Sequence, residues 1–236
     1  MVPVISFANA KGGAGKTTAA LLLATELVNR GSTVTLFDAD PQKWLSRWAE
    51  LPNLPRGITV VSETSASSIV SQIQDAHGST DYIIVDLEGT ENLLVANAVS
   101  ISDLVIVPIQ GSAMDARGGA KILGLINKLQ KIVQKDINHC VLLTRTSPLV
   151  KTRAMKTVHD RLAANGVKVL ITPLVERAAF RDLFDFGGGL AQLPEGAVSN
   201  LDKARQNAAA YTSEIRNLLL SATSRQRWTQ KHKAAS

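Results

Sequence analysis

A loop near the N-terminus limits the possible folds of this chain more than any other feature. It follows the apolar residues 4–9, precedes a segment of helical periodicity, and reads Lys11-Gly12-Gly13-Ala14-Gly15-Lys16-Thr17-Thr18. Its glycines allow backbone N–H groups to turn inward around phosphate oxygens, and the following helix adds the positive end of its dipole. Lys16 can then reach the β- and γ-phosphates, and the Thr17 hydroxyl can ligate Mg²⁺. Residues 12–18 are therefore predicted to bind a nucleoside triphosphate with Mg²⁺.

The rest of the chain predicts a parallel sheet covered by helices, because apolar strand-like segments alternate with segments of helical periodicity. The predicted strands are residues 4–9, 33–38, 58–62, 82–86, 104–109, 140–144 and 167–171. The predicted helices are residues 17–30, 69–76, 92–100, 117–135, 153–165 and 201–220. With the phosphate-binding loop, this order predicts the α/β fold of a P-loop NTPase, a mostly parallel twisted sheet with helices on both faces.

Length and composition agree with one domain of this kind. Of the 236 residues, 45% are hydrophobic but only 4% aromatic, so aliphatic side chains must build the core, as in buried parallel strands. We expect a single ATPase domain over residues 1–220, a mobile loop over the glycine-rich residues 187–198, and a disordered basic tail over residues 221–236. Because the sequence contains no basic leader and no apolar run of about 20 residues, we expect a cytoplasmic protein without a membrane anchor.

Positive charge is concentrated in the C-terminal part of the chain. Residues 1–140 carry 11 basic and 13 acidic side chains, whereas residues 141–236 carry 15 and 7. This asymmetry predicts that the C-terminal part contacts a polyanion such as DNA. The candidate DNA contacts are Arg177, Arg181, Lys203, Arg205 and Arg216, followed in the tail by Arg225, Arg227, Lys231 and Lys233.

Two acidic motifs at the ends of predicted strands complete the candidate site. In Phe37-Asp38-Ala39-Asp40-Pro41-Gln42, a carboxylate can orient an attacking water and hold waters around Mg²⁺. Ile83-Ile84-Val85-Asp86 is an apolar strand that ends in an acid. This is the Walker B pattern, so Asp86 is predicted to contact Mg²⁺ through water. Glu88 has either a chemical or a structural role.

The lysine at the start of the loop points to one family. Ala10 stands where the usual motif has glycine, and Lys11 follows it. This deviant Walker A motif, Lys-Gly-Gly-x-Gly-Lys-Thr-Thr, resembles that of the ParA/MinD family of ATPases. The resemblance implies an ATP-dependent homodimer in which Lys11 reaches the phosphates held by the partner. It also implies that Asp40, the second aspartate of a similar Asp-x-Asp-Pro-Gln switch, is the catalytic aspartate near Mg²⁺, whereas Asp38 organises the loop.

The base-binding end departs from the family pattern. The resemblance implies ATP rather than GTP, with adenine near Thr144, Arg145 and Pro173. However, Thr144-Arg145 stands where relatives often have an asparagine. After the Walker B aspartate, Leu87-Glu88-Gly89-Thr90 replaces the Pro-Pro of most relatives, so the shape of this switch is open.

Three functions follow from the resemblance. The stretch from Trp44 to Trp48, and the mere ten residues before Lys11, look like the short ParA branch of ParF-like partition ATPases. That branch implies a nucleoid-associated protein that binds DNA non-specifically and has a small centromere-binding, ParB-like partner. VirC-type ATPases, which promote conjugal DNA transfer with a relaxosome component, are also similar in Phe-Asp-Ala-Asp and the following Leu-x-Arg-Trp. A MinD-like membrane-associated regulator is the third alternative, but residues 221–236 lack the apolar helix face that membrane binding requires.

Overall fold

Six strands form a single, entirely parallel sheet in the computed structural model. The model describes residues 2–110, 113–147, 153–196 and 198–233, of which 113–116, 153–156, 158, 159 and 222–233 are described by their backbone only. The strands are β1 (Val4–Phe7), β2 (Val34–Ala39), β3 (Ile58–Val61), β4 (Tyr82–Leu87), β5 (Leu104–Gln110) and β6 (His139–Thr144). Their order is β3-β2-β4-β1-β5-β6, and each adjacent pair is parallel.

Helices cover both faces of this sheet. They are α1 (Lys16–Asn29), α2 (Trp44–Ala49), α3 (Ile69–Ala76), α4 (Leu93–Ser100), α5 (Ala113–Val133), α6 (Arg153–Ala164), α7 (Ala178–Phe186) and α8 (Leu201–Lys233). One core lies between the sheet and α1, α2, α7 and α8, and the other contains side chains of α3, α4 and α5. Neighbouring strand residues face opposite cores, as Ile84 and Ile83 do. The predicted α/β fold is therefore confirmed.

The strand order places the phosphate-binding loop where ligands bind in sheets of this type. β1 lies at the centre, and the chain builds one side of the sheet through β2, β3 and β4 before it forms β5 and β6 on the other side. Ligands bind beyond the carboxyl ends of the strands at such a reversal of strand order. The loop that follows β1, the acids that end β2 and β4, and Thr144 at the end of β6 all lie at this edge.

The prediction of a strand over residues 167–171 was wrong. Val169 forms only an isolated bridge with Val141, and Val175 forms another with Thr146. Pro173 lies between the two bridges, and because proline has no N–H to donate, it interrupts the ladder. The segment therefore runs beside β6 at the edge of the sheet without extending the sheet.

Two predictions about the C-terminal part also need correction. The predicted end of the last helix at residue 220 was wrong, because α8 continues to Lys233. Residues 221–233 contain no glycine or proline, so the packed helix before them can propagate. The prediction of a mobile loop over residues 187–198 does not fit the glycines themselves, since residues 187–190 are buried, whereas residues 194–196 are exposed. Helix α2 was not predicted, because six residues are too few for a clear helical period.

Candidate nucleotide-binding site

The phosphate-binding loop connects β1 to α1 with the backbone that an anion site needs. Gly13 and Gly15 have φ angles of 76° and 91°, in the left-handed region where glycine is favoured. Helix α1 begins at Lys16, directly after Gly15, which has no side chain to cap the first turn. The unpaired N–H groups of that turn and the positive end of the helix dipole are available to phosphate oxygens. Lys16 itself is only 5% exposed.

Neighbouring elements hold this loop at several points. The Thr144 hydroxyl donates to the Ala14 carbonyl at 2.7 Å, and the Gln110 side chain donates to the Gly13 carbonyl. The Lys11 N–H donates to Asn9 Oδ1 at 2.9 Å. The start of α5 packs so closely that a Cβ on Gly118 would lie 2.5 Å from Asn9 Oδ1. The loop is therefore preorganised from three strands and a helix.

Two of the predicted metal-binding residues are in contact. The Thr17 hydroxyl donates to Asp86 Oδ2 at 2.7 Å, and Asp86 is fully buried. Burial raises the pKa of Asp86 from 3.8 to about 7, although the Thr17 hydroxyl and the nearby Lys16 ammonium favour the carboxylate. Asp38 and Asp40 contribute negative charge that raises the pKa further. Asp38 is also buried and lies opposite Asp86 in the pairing of β2 with β4.

The oxygen atoms at this end fit Mg²⁺. Asp86 Oδ1 and Asp38 Oδ1 are buried and have no hydrogen-bond partner among the described residues. Such oxygens require a partner, and carboxylate and hydroxyl oxygens are ligands for Mg²⁺ or for its bound waters. No three histidine, cysteine or acidic side chains of the described residues converge on one point. Mg²⁺ would therefore need further oxygens from bound phosphates, as is usual for Mg²⁺ with nucleotides.

The segment after β2 separates the roles of its two aspartates. Asp38 Oδ2 accepts from the Ser46 N–H at 2.8 Å and from its hydroxyl at 2.6 Å, while Lys43 Nζ donates to the Asp38 carbonyl at 2.9 Å. These bonds fix α2 to the end of β2. Asp40 is half-buried and accepts from the Gln42 N–H at 2.9 Å. The geometry thus gives Asp38 an organising role and leaves Asp40 at the surface of the site.

The segment after β4 contacts the phosphate-binding loop through its backbone. A Cβ on Gly89 would lie 3.1 Å from the Gly12 nitrogen. Glu88 accepts a hydrogen bond from the Asn92 side chain, and Asn92 caps α4 by accepting from the Val95 N–H at 2.9 Å. Glu88 therefore supports the start of α4, which favours its structural role over a chemical one.

A pocket next to the loop lies where the resemblance implied the base. It is lined by Gly15, Thr18, Thr144, Arg145, Leu174, Val175, Glu176, Arg177, Phe180 and Arg181. Two of the three predicted adenine residues are in this set, but the Thr144 hydroxyl is already bonded to the loop. Pro173 is not in it, and its carbonyl accepts from Asn207 at 2.8 Å. Leu174 and Val175 were not predicted, because they lie on an irregular edge segment that has no periodic pattern.

The five candidate DNA residues do not form one surface. Arg177 and Arg181 line the pocket, and Glu176 pairs with Arg181 and with Arg145. Arg205 donates to the Leu190 carbonyl at 3.0 Å and pairs with Glu195 and Asp202. Lys203 and Arg216 are exposed on α8. The side chains of the four basic tail residues lie outside the described part of the structure.

Comparison with known proteins identifies relatives along most of the chain. The family model of the VirC1 protein matches residues 2–218. Protein ParA of Rhizobium radiobacter is 38% identical over 214 residues, which cover 91% of this chain and 96% of that protein. Protein virC1 of Rhizobium rhizogenes is 29% identical over 191 residues, with coverages of 78% and 81%. A solved structure of a Cyanothece McdA variant in complex with ATP aligns with a TM-score of 0.70 at 14% identity, covering 91% of this chain and 96% of that one. This last similarity concerns the fold.

Proposed function

This chain belongs to the VirC1 family of ParA/MinD-type proteins, and on that premise we propose that it is an ATPase that dimerises on ATP, binds DNA non-specifically and drives DNA partition or positioning. The observation that carries the proposal is the Thr17–Asp86 contact of 2.7 Å beneath the uncapped start of α1. It joins the predicted phosphate site to the predicted metal site. The ATP complex of the structurally similar McdA variant supports ATP as the nucleotide.

Each residue of the proposed site has a separate task. Lys16 and the N–H groups of the loop bind the triphosphate. Mg²⁺, held by Thr17 and through water by Asp86, would neutralise phosphate charge in the transition state. Asp40 orients the attacking water. Lys11 provides positive charge to the triphosphate of the partner subunit, so that hydrolysis weakens the dimer.

The oligomeric state in the presence of Mg·ATP tests this proposal. We expect wild-type protein to elute as a dimer with Mg·ATP and as a monomer without it. Lys16→Ala is expected to lose ATP binding, measured by calorimetry, together with the dimer. Lys11→Ala is expected to keep ATP affinity within about threefold, because one cation fewer at an exposed loop changes binding little, but to remain monomeric. Lys11→Ala dimers as abundant as those of wild type would contradict the role across the interface.

The VirC1 family match also favours a second function, the promotion of conjugal DNA transfer. Both functions use the same ATP cycle, so in vitro assays do not separate them. In cells that carry a conjugative plasmid encoding this protein, loss of partition lowers plasmid retention without selection, whereas loss of transfer lowers only the frequency of conjugation. The Lys16→Ala variant, compared with wild type in both assays, decides between the two functions.

A further inference from the structure

The outer wall of the pocket is formed by a segment that is bonded to the sheet edge along only part of its length. This wall segment, residues 171–177, contributes Leu174, Val175, Glu176 and Arg177 to the lining. Its links to the strand side are three backbone hydrogen bonds around the isolated bridge of Val175 with Thr146. The Leu174 N–H donates to the Leu143 carbonyl at 2.9 Å, the Thr146 N–H donates to the Leu174 carbonyl at 3.2 Å, and the Glu176 N–H donates to the Thr146 carbonyl at 3.0 Å. In the described part of the structure these bonds involve only Leu174 and Glu176, so residues 171–173 at the start of the wall segment need support from elsewhere.

Helix α8 provides that support through two side chains, each of which bonds the segment twice. Asn207 Nδ2 donates to the Pro173 carbonyl at 2.8 Å, and Asn207 Oδ1 accepts from the Val175 N–H at 3.0 Å. Glu214 accepts from the N–H groups of Ile171 and Thr172, both at 2.8 Å. Asparagine suits position 207 because its side-chain amide combines a donor and an acceptor in one plane. The side chain thus replaces the backbone partner that a strand would have supplied.

Helix α8 is also fixed to the helix that follows the phosphate-binding loop. Tyr211 lies between Asn207 and Glu214 in sequence, is fully buried, and donates its hydroxyl to the Ala19 carbonyl of α1 at 3.3 Å. Arg30, just after α1, donates to the Ser213 hydroxyl at 3.1 Å and to the Ala209 carbonyl at 2.9 Å. Helix α8 therefore connects the wall segment to the helix that carries Lys16 and Thr17.

We propose that Asn207 is a positioning residue that sets the distance between the wall segment and the phosphate-binding loop, and so determines affinity for the base of the nucleotide. The inference rests on the proposed function, because it assumes that ATP occupies the pocket. Asn207 does not line the pocket. It acts through Val175, whose N–H donates to it, and through Leu174, which lies between its two bonded partners, Pro173 and Val175. Glu214 fixes the start of the same segment.

If Asn207 acts through the wall segment, its replacement should weaken binding of a nucleotide but not binding of phosphates alone. Inorganic tripolyphosphate with Mg²⁺ contacts only the loop, whereas Mg·ATP also contacts the wall segment. Asn207→Ala is expected to weaken Mg·ATP binding roughly tenfold, the order expected when buried hydrogen bonds are lost, and to leave Mg·tripolyphosphate binding unchanged. Asn207→Asp keeps the acceptor for the Val175 N–H but places a carboxylate against the Pro173 carbonyl, so it should also weaken Mg·ATP binding.

Calorimetric titration of wild type, Asn207→Ala, Asn207→Asp and Asn217→Ala with both ligands tests the inference. Asn217 is a matched control, because it is the same residue on the exposed side of the same helix, and its variant should bind both ligands like wild type. Equal ATP affinity of wild type and both Asn207 variants would overturn the role of Asn207. Equal losses for ATP and tripolyphosphate would also overturn it, because the residue would then act on the whole fold. Wild-type protein that binds neither ligand would instead contradict the proposed function.

Discussion

At the scale of single residues, Asp86 combines a functional position with a cost in stability. Its side chain is fully buried, and its pKa of about 7 lies far above the ordinary 3.8. Between these two values the folded state binds a proton that the unfolded state has lost, so the free energy of unfolding falls as pH rises from about 4 to 7. Above pH 7 Asp86 is deprotonated in both states, so the free energy of unfolding is reduced by the full cost of burying the charge.

Asp86→Asn is therefore expected to stabilise the protein at pH 8 when neither Mg²⁺ nor nucleotide is present. The amide keeps an acceptor for the Thr17 hydroxyl and carries no charge. From the size of the pKa shift, the gain in the free energy of unfolding is on the order of 2–4 kcal/mol. Urea denaturation in EDTA at pH 5 and pH 8 measures it, and the gain should be much smaller at pH 5. A variant that is no more stable than wild type at pH 8 would show that the carboxylate is not penalised by burial.

Sequence reasoning was strongest for residues whose chemistry fixes their spacing. Lys16, Thr17 and Asp86 belong to motifs, and in the structure the Thr17 hydroxyl donates to Asp86. Thr144 lies in the pocket, but its hydroxyl bonds to the loop. Asn207 belongs to no motif and lies 34 and 32 residues along the chain from Pro173 and Val175, so only the folded chain shows that it bonds to them. A contact between distant segments leaves no local pattern in one sequence.

At the scale of elements, buried strands were predictable and packed glycines were not. Strands β1 and β2 are buried along their whole length, so most of their residues are apolar and the strands could be recognised in the sequence. The three consecutive glycines after α7 instead predicted mobility. In the structure, a Cβ on Gly187 would lie 2.3 Å from the Pro52 carbonyl, and Trp48 donates to the Gly188 carbonyl at 3.0 Å. Glycine serves close packing here, and a local pattern does not distinguish packing from flexibility.

The pair Gly187→Ala and Gly166→Ala tests this interpretation. Both glycines have a left-handed backbone, with φ of 74° and 70°, but a Cβ on Gly166 meets nothing within 4 Å. Gly166→Ala should cost about 1 kcal/mol from backbone strain alone. Gly187→Ala adds the clash with Pro52 and should cost about 2–4 kcal/mol. Chemical denaturation of both variants measures the difference, and equal costs would mean that the segment is as loose as the sequence predicted.

At the scale of the whole molecule, the C-terminal helix both supports the proposed nucleotide site and carries two of the candidate DNA contacts. The part of α8 that contacts the wall segment and α1 is followed by residues 221–233 in the same helix. Lys203 and Arg216 are exposed on α8, and a dimer would present each of them twice. No helix among residues 2–110, 113–147, 153–196 and 198–233 has the length and apolar character needed to cross a membrane.

The salt dependence of DNA binding measures the contribution of these exposed charges. Non-specific binding weakens with salt in proportion to the number of phosphates neutralised, with a slope of about −0.9 per phosphate on logarithmic axes. Lys203→Ala with Arg216→Ala removes two cations from each subunit, so in the Mg·ATP-bound state the slope should become shallower by up to about 3–4. Affinity for Mg·ATP should not change, because neither residue lines the pocket.

A matched variant distinguishes a defined surface from general electrostatics. Lys121→Ala with Lys128→Ala removes the same charge from exposed positions on α5, which packs on the opposite face of the sheet. If α8 contacts DNA, this control keeps the wild-type slope, because charges beyond about 10 Å are screened at moderate salt. Equal changes of the slope in both variants would mean that DNA binding depends only on the net charge of the protein. An unchanged slope in the α8 variant would mean that other residues contact DNA. The two slopes, compared at the same concentration of Mg·ATP, therefore decide whether the helix that supports the wall segment also contacts DNA.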